Sequence, residues 1–146
     1  EIDYFLYLFS EYKIINTTYI SSKISDLDID VEDVFFSNFL LKKNKNKISC
    51  SINLNYFERP KKRKFHLIGK SGSLVACFNT QKIRIFKNGE EKIINFNFKK
   101  NDIFIKEIKY FISKVKSKKM ISKNLNLYNG IKTLRFALKL KNRFIK

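Results

Sequence analysis

The stretch VFFSNFLLKKNKNKISCSINLNY, residues 34–56, decides the fold. Its second half alternates strictly, with Ile48, Cys50, Ile52, Leu54 and Tyr56 against Ser49, Ser51, Asn53 and Asn55. Successive side chains of a strand point to opposite faces, so this pattern predicts a strand with one apolar face and one polar, open face. The first half, Val34 to Leu41, is apolar on both sides and predicts a strand that needs cover on both. Between them Lys42 to Lys47 (KKNKNK) is too short for a crossover, which makes the pair an antiparallel hairpin. Pro60 closes the second strand, because it has no N–H for the ladder and restrains Arg59 before it.

Hairpins continue downstream. Phe65 to Ile68 reads as a strand, Gly69 and Gly72 bracket a turn, and Ser73 to Phe78 follows as another strand. Ile83 and Ile85 alternate with Lys82 and Arg84, and Ile94, Phe96 and Phe98 continue the pattern as a strand over 91–98. Between these two stands Asn88-Gly89, the dipeptide that best accepts the positive φ angles of a type I′ turn. Helices flank the strands. Ile2, Phe5, Leu6 and Phe9 recur at helical spacing and predict a helix that ends near Ser10, before the β-branched run Ile14 to Ile20. Asp26, Asp28, Asp30, Glu32 and Asp33 form an acidic island, and the interleaved Leu27, Ile29 and Val31 predict an extended segment there. Phe104, Ile108, Phe111, Ile112 and Val115 share one stripe, capped by Asn101 or Asp102. After a lysine-rich connector, a last helix runs from near Leu127 past Leu140, with Ile131, Leu134, Ala137 and Leu138 as its expected buried face. The sum is an α+β fold, an open-faced, mostly antiparallel sheet with the three helices on one face.

The 146 residues, 44% hydrophobic and 15% aromatic, suffice for one core and predict a single domain over 1–146. The chain opens at Glu1 inside a helical pattern, which is the expectation for a fragment. A net charge of +18 attracts polyanions whatever the fold. Only Arg59, Arg63, Arg84, Arg135 and Arg143 carry the planar guanidinium that phosphate and base recognition lean on, so nucleic acid is disfavoured as a partner. Cys50 and Cys77 lack metal or disulfide spacing, and the expectation is no metal. No stretch approaches a membrane span or a signal peptide, which makes the cytoplasm the default location. The four glycines, at 69, 72, 89 and 130, form no phosphate-cradling turn, so the chain by itself binds no cofactor. His66, the sole histidine, stands mid-strand in a structural role. The run ERPKKRK, residues 58–64, reads either as a basic patch or as a turn between strands. Arg59, with Tyr56 and Phe57 before it and Pro60 after it, is the arginine whose surroundings suggest a positioned guanidinium.

The order of these pieces resembles the C-terminal domain of the glucose-fructose oxidoreductase, inositol dehydrogenase and rhizopine-catabolism (Gfo/Idh/MocA) family. Glu1-Ile2-Asp3-Tyr4 with Leu8, Phe9 and Ser10 looks like the family helix "HEIDYLLWLFG", entered just after its histidine. Val31-Glu32-Asp33-Val34 looks like "vEDva", and Ile52 to Pro60 (INLNYFERP) like "ihlDYfqRP", with Asn55 in place of the aspartate. Phe65 to Leu74 (FHLIGKSGSL) resembles "leIiGeeGtL", Asp102 to Glu107 with Phe111 resembles "d.yl.Em..Fi", and Gly130 to Ala137 resembles "dg.ktLkialaa". The resemblance implies a dihydrodipicolinate-reductase-like substrate and oligomerisation domain, whose parent uses NAD or NADP to move a hydride at a CH–OH group of a sugar, nucleotide sugar or cyclic polyol. It implies a homodimer or homotetramer through the sheet face and a small-molecule sugar substrate. The family's base lysine and motif histidine are not in this sequence, so no catalytic residue is expected and the fragment alone should be inactive. Arg59 is the first candidate for a substrate contact, with Tyr56 and Asp3 as weaker neighbours. A small basic nucleic-acid module and a purely structural dimerisation domain are the alternatives.

Overall fold

The computed structural model describes residues 1–99, 101–117 and 126–141. The order is α1 (Ile2–Leu8), β1 (Lys13–Ser22), β2 (Val34–Lys43), β3 (Asn46–Asn55), β4 (Lys64–Gly69), β5 (Gly72–Cys77), β6 (Lys82–Lys87), β7 (Glu90–Asn95), α2 (Asp102–Ser117) and α3 (Leu127–Lys141). Every strand pairing is antiparallel, so the fold is α+β as the alternation implies. The strands divide between two sheets, ordered β1-β2-β3 and β4-β5-β6-β7. Two compact units hold them, one made of Glu1–Phe57 with α3, the other beginning at Glu58 and including α2.

In the first unit the β2–β3 hairpin turns through Asn44 and Lys45, with Lys43 paired to Asn46 and Asn44 at φ 55°. The register puts Phe35, Ser37, Phe39 and Leu41 on one face, with Ile48, Cys50, Ile52 and Leu54 of β3 and Ile14, Thr17, Tyr19 and Ser21 of β1 beside them. A bulge between Ile14 and Asn16 lets β1 keep this phase. Helices α1 and α3 cover that face: Phe5 and Leu140 are buried with Phe39 and Leu41, and Phe136, Ile2 and Leu6 pack around them. Aromatic rings form the centre, with Phe5 4.8 Å and Phe136 5.8 Å from Phe39 between centroids. Burying Phe39 contributes about 3 kcal/mol by area alone. The opposite face carries Ser49, Ser51, Asn53 and Asn38 and stays exposed, as the polar half of the alternation requires.

In the second unit Asn88 and Gly89 adopt φ 54° and 81° and join Lys87 to Glu90 as a two-residue turn, as expected for Asn-Gly. Gly72 has φ 151°, and a Cβ there would stand 2.1 Å from the Phe86 carbonyl oxygen, so the glycine is required for β5 to approach β6. β7 ends at Asn95 rather than at residue 98. Gln81 takes over from the ladder, its side chain bonding both the N–H and the carbonyl of Phe98 at 2.6 and 2.8 Å.

Two further expectations need correction. In α3 the inward side chains are Phe136, Ala137 and Leu140, whereas Ile131, Leu134 and Leu138 are 39%, 59% and 46% exposed. The two stripes lie roughly 150° apart at 100° per residue, and Phe136 fits the ring cluster where the aliphatic stripe does not. The segment 23–33 is not extended but a bent loop. Helix α2 forms where expected, yet none of its described side chains is buried. Most of the lysine-rich connector, 118–125, lies outside the described residues. Among the described residues no helix is long and apolar enough to cross a membrane, and no three His, Cys, Asp or Glu side chains cluster as metal ligands.

Candidate functional site

The acidic loop returns to the sheet at Asp33, which is 1% exposed. Its carboxylate accepts the N–H groups of Ile24 and Ser25, each at 2.9 Å, and the Ser25 hydroxyl. Its own N–H donates to the Ser22 carbonyl at 3.1 Å, and its carbonyl accepts the Tyr56 N–H at 3.0 Å. Burial pushes this carboxyl up. The Ser25 hydroxyl, the two N–H groups and the Lys23 charge outweigh burial and hold it below the ordinary aspartate value. A buried charge fully met by donors fixes its backbone, and here it fixes the three strand ends that meet at this edge of the sheet.

A groove of about 340 Å³ opens at that edge. Its walls are Ser21 at the end of β1, Val34 and Phe35 at the start of β2, Leu54 and Asn55 at the end of β3, and Tyr56 just beyond. Ile2 of α1 and Ala137, Leu140 and Lys141 of α3 close the helical side, with Glu32 on the rim beside Asp33. The apolar face of the sheet thus runs out from beneath the helices, which is why Leu54 keeps the alternation yet is exposed. Glu32 and Lys141 face each other as an ion pair at 3.4 Å, a donor and an acceptor at the mouth. Such a half-open, apolar-floored groove with convergent polar groups suits a small ligand bearing hydroxyls and C–H faces.

Of the three candidate contacts, Tyr56 lines this groove and is 59% exposed. Asp3 is not among the groove residues; its carboxylate accepts the Thr133 hydroxyl at 2.8 Å and ties α1 to α3. Arg59 belongs to the second unit, where its guanidinium donates to the Glu58 carbonyl at 3.1 Å. Sequence reasoning missed Ser21, Glu32, Asn55 and Lys141 as groove residues. Glu32 and Asn55 lie inside quoted motifs, and the carboxylate at position 33 was the available signal.

The ERPKKRK segment is built into the second unit. The Asn79 side chain accepts the Arg63 N–H at 2.7 Å and donates to the Lys61 carbonyl at 3.0 Å. Arg63 stacks on the Phe78 ring at 4.5 Å, and Lys62 pairs with Glu58 at 2.9 Å. His66 lies exposed in β4. Cys77 sits between Lys64 and Lys82 in the register; hydrogen bonds from the Thr80 hydroxyl and N–H hold its thiol below the usual range, whereas burial pushes Cys50 up. The glycines occupy hairpin turns and the body of α3, and none stands between a strand and a helix N-terminus, the arrangement that cradles a pyrophosphate. These residues do not fit a dinucleotide.

No protein-family model and no curated protein matches the chain. Solved structures do. The chain is similar to the UDP-N-acetylglucosamine 3-dehydrogenase GnnA of Acidithiobacillus ferrooxidans, with a TM-score of 0.75 at 13% identity over 95% of this chain and 42% of that one. It is similar to a Thermotoga maritima protein described as an oxidoreductase, with a TM-score of 0.65 at 16% identity over 96% and 41%. It is also similar to the biliverdin reductase of Synechocystis sp., solved with biliverdin and NADP+, with a TM-score of 0.68 at 15% identity over 96% and 42%. The chain therefore spans less than half the length of these structures.

Proposed function

We propose that this chain, whose fold is that of the C-terminal domain of Gfo/Idh/MocA-type oxidoreductases, serves as the substrate-side domain of an NAD(P)-dependent enzyme. The parent would oxidise or reduce a CH–OH group of a sugar, nucleotide sugar or cyclic polyol. The groove at the Asp33 edge supports this reading most. Its floor of Ile2, Val34, Leu54 and Leu140 suits the C–H face of a sugar ring, while Glu32 accepts from hydroxyls and Asn55 and Lys141 donate to ring or anionic oxygens. NAD(P) would be held by a part of the enzyme other than this chain. A proton-transfer residue must lie within hydrogen-bond reach of the reacting hydroxyl, and the family's base lysine and motif histidine are not in this sequence, so the share proposed for this chain is binding and orientation. A soluble cytoplasmic enzyme is the matching setting.

Arg59 remains the proposed contact for a substrate carboxylate or phosphate. Replacing a bidentate guanidinium by lysine there should cost roughly 1.5 to 3 kcal/mol, about ten- to a hundredfold in affinity. The measurement is kcat/KM of the full parent enzyme, comparing Arg59→Lys with Lys62→Ala as a surface control. Parental values within a factor of two for both variants remove Arg59 from the site.

A further inference from the structure

Two polar side chains are buried among the described residues, Asp33 and Ser37. Asp33 is met by the Ile24 and Ser25 N–H groups and the Ser25 hydroxyl. Ser37, in the middle of β2 and 2% exposed, is not so matched: its hydroxyl has no hydrogen-bond partner among the described residues. A hydroxyl taken out of water without a new partner is a net cost to the fold, so a group of this kind marks a place that something else completes.

The strand register shows where it stands. Ser21, Phe35 and Leu54 lie side by side on β1, β2 and β3, and all three line the groove. The next row on the same face is Tyr19, Ser37 and Ile52, and the row after it holds Phe39 at the centre of the core. Successive rows on one face are two residues apart, roughly 6.8 Å at the rise of an antiparallel strand. Ser37 therefore lies one row inward from the groove floor, in the layer between sheet and helices of which the groove is the open end. Phe35, half-buried, stands between it and the groove. What can reach Ser37 is limited by its chemistry. It carries one donor and two acceptor sites and no charge, so a neutral hydroxyl suits it, whereas a carboxylate or phosphate brought this deep would lose its water without gaining a counter-charge. It is limited by shape as well. A ring hydroxyl stays at the ring edge, while a hydroxyl on an exocyclic carbon projects beyond the ring.

We propose that Ser37 is a binding residue of the groove and takes the hydroxyl of an exocyclic hydroxymethyl arm, with Phe35 turning aside to admit it. The inference rests on the polyol reading above and narrows it: a pyranose that carries a CH2OH group is preferred to a cyclic polyol that has none. The free chain leaves the Ser37 hydroxyl unmatched and the complex matches it, so the contact favours the bound state.

The test compares the parental chain with Ser37→Ala in two measurements. The first is thermal melting of the chain alone. Alanine removes the hydroxyl and keeps the strand and its apolar neighbours, so the melting temperature should stay the same or rise by a few degrees. The second is binding, followed by amide-resolved NMR, of D-glucose, D-galactose and D-mannose, each beside its 6-deoxy counterpart, and of myo-inositol. At least one of the three sugars should bind the parental chain roughly tenfold more tightly than its 6-deoxy counterpart and than myo-inositol. In Ser37→Ala that preference should vanish, with the affinity for the 6-deoxy sugar unchanged. A Ser37→Ala chain that melts several degrees lower shows the hydroxyl to be bonded within the protein, to a neighbour or an internal water, and overturns the inference. So does a parental chain that binds each sugar and its 6-deoxy counterpart alike, or a preference that survives in Ser37→Ala; in both cases the groove still binds polyols and the substrate-domain reading stands. A parental chain that binds none of these probes also overturns the inference, and a nucleotide sugar titrated into the same sample then decides the substrate-domain reading separately.

Discussion

β2 and β5 are both inner strands with antiparallel neighbours on each side, yet β2 buries Val34, Ser37, Phe39 and Leu41 while β5 buries no side chain. Their sequences, VFFSNFLL and GSLVAC, are comparably apolar. The difference lies in what covers them. α1 and α3 lay Phe5, Phe136 and Leu140 on β2, so every fully buried described residue belongs to the first unit. In the second unit Leu74, Ile83 and Ile85 share a face of the sheet but remain half-buried, and α2 buries nothing. Strand pattern forms a sheet, and helix cover forms a core.

That contrast can be broken by truncation. Phe39→Ala removes the ring that packs against Phe5 and Phe136 and should destabilise the first unit by about 3 to 5 kcal/mol, whereas Leu74→Ala in the second should cost about 1 kcal/mol. Urea unfolding of each variant measures it; equal losses would mean that the two interiors do not differ. A second comparison sharpens the role of backbone in the weaker unit. Gly72→Ala drives a Cβ into the Phe86 carbonyl and should cost about 3 kcal/mol, whereas Gly89→Ala, with open space around it, should cost about 1 kcal/mol for its positive φ alone.

The smallest effect concerns acid. Asp33 has a folded pKa below its unfolded value, so its contribution is fully present above the unfolded aspartate range and is lost as pH falls through the folded value. Asp33→Asn should be less stable at neutral pH and should lose less on acidification below about pH 4. Circular dichroism melts between pH 7 and pH 3 check this, and parallel curves for the two proteins would remove Asp33 as the anchor of the loop.

Local periodicity made the hairpins legible, and Asn88-Gly89 and the 34–56 pair stand where the alternation puts them. The inward face of α3 was not legible, because Leu127, Ile131, Leu134 and Leu138 form one apolar stripe and Phe136 and Leu140 another on the far side of the helix. The choice among them was made by the shape of Phe39 and Phe5, which periodicity does not contain. The groove was hidden for a related reason. Ser21, Glu32, Asn55 and Lys141 come from four separate segments, and the pairing of Ser22 with Val34 and of Val34 with Asn55, with the anchoring of Asp33 to Ile24 and Ser25, brings the strand ends together.

The division of labour we propose puts polyol recognition in this chain and dinucleotide binding elsewhere. Amide-resolved NMR of the chain, titrated separately with NADH and with sugars, cyclic polyols and nucleotide sugars, tests it most directly. The predicted result is that one or more of the polyols shifts Ser21, Glu32, Asn55 and Tyr56 together, while NADH at millimolar concentration shifts nothing. Micromolar NADH binding, or a groove that no member of the polyol set perturbs, would contradict it.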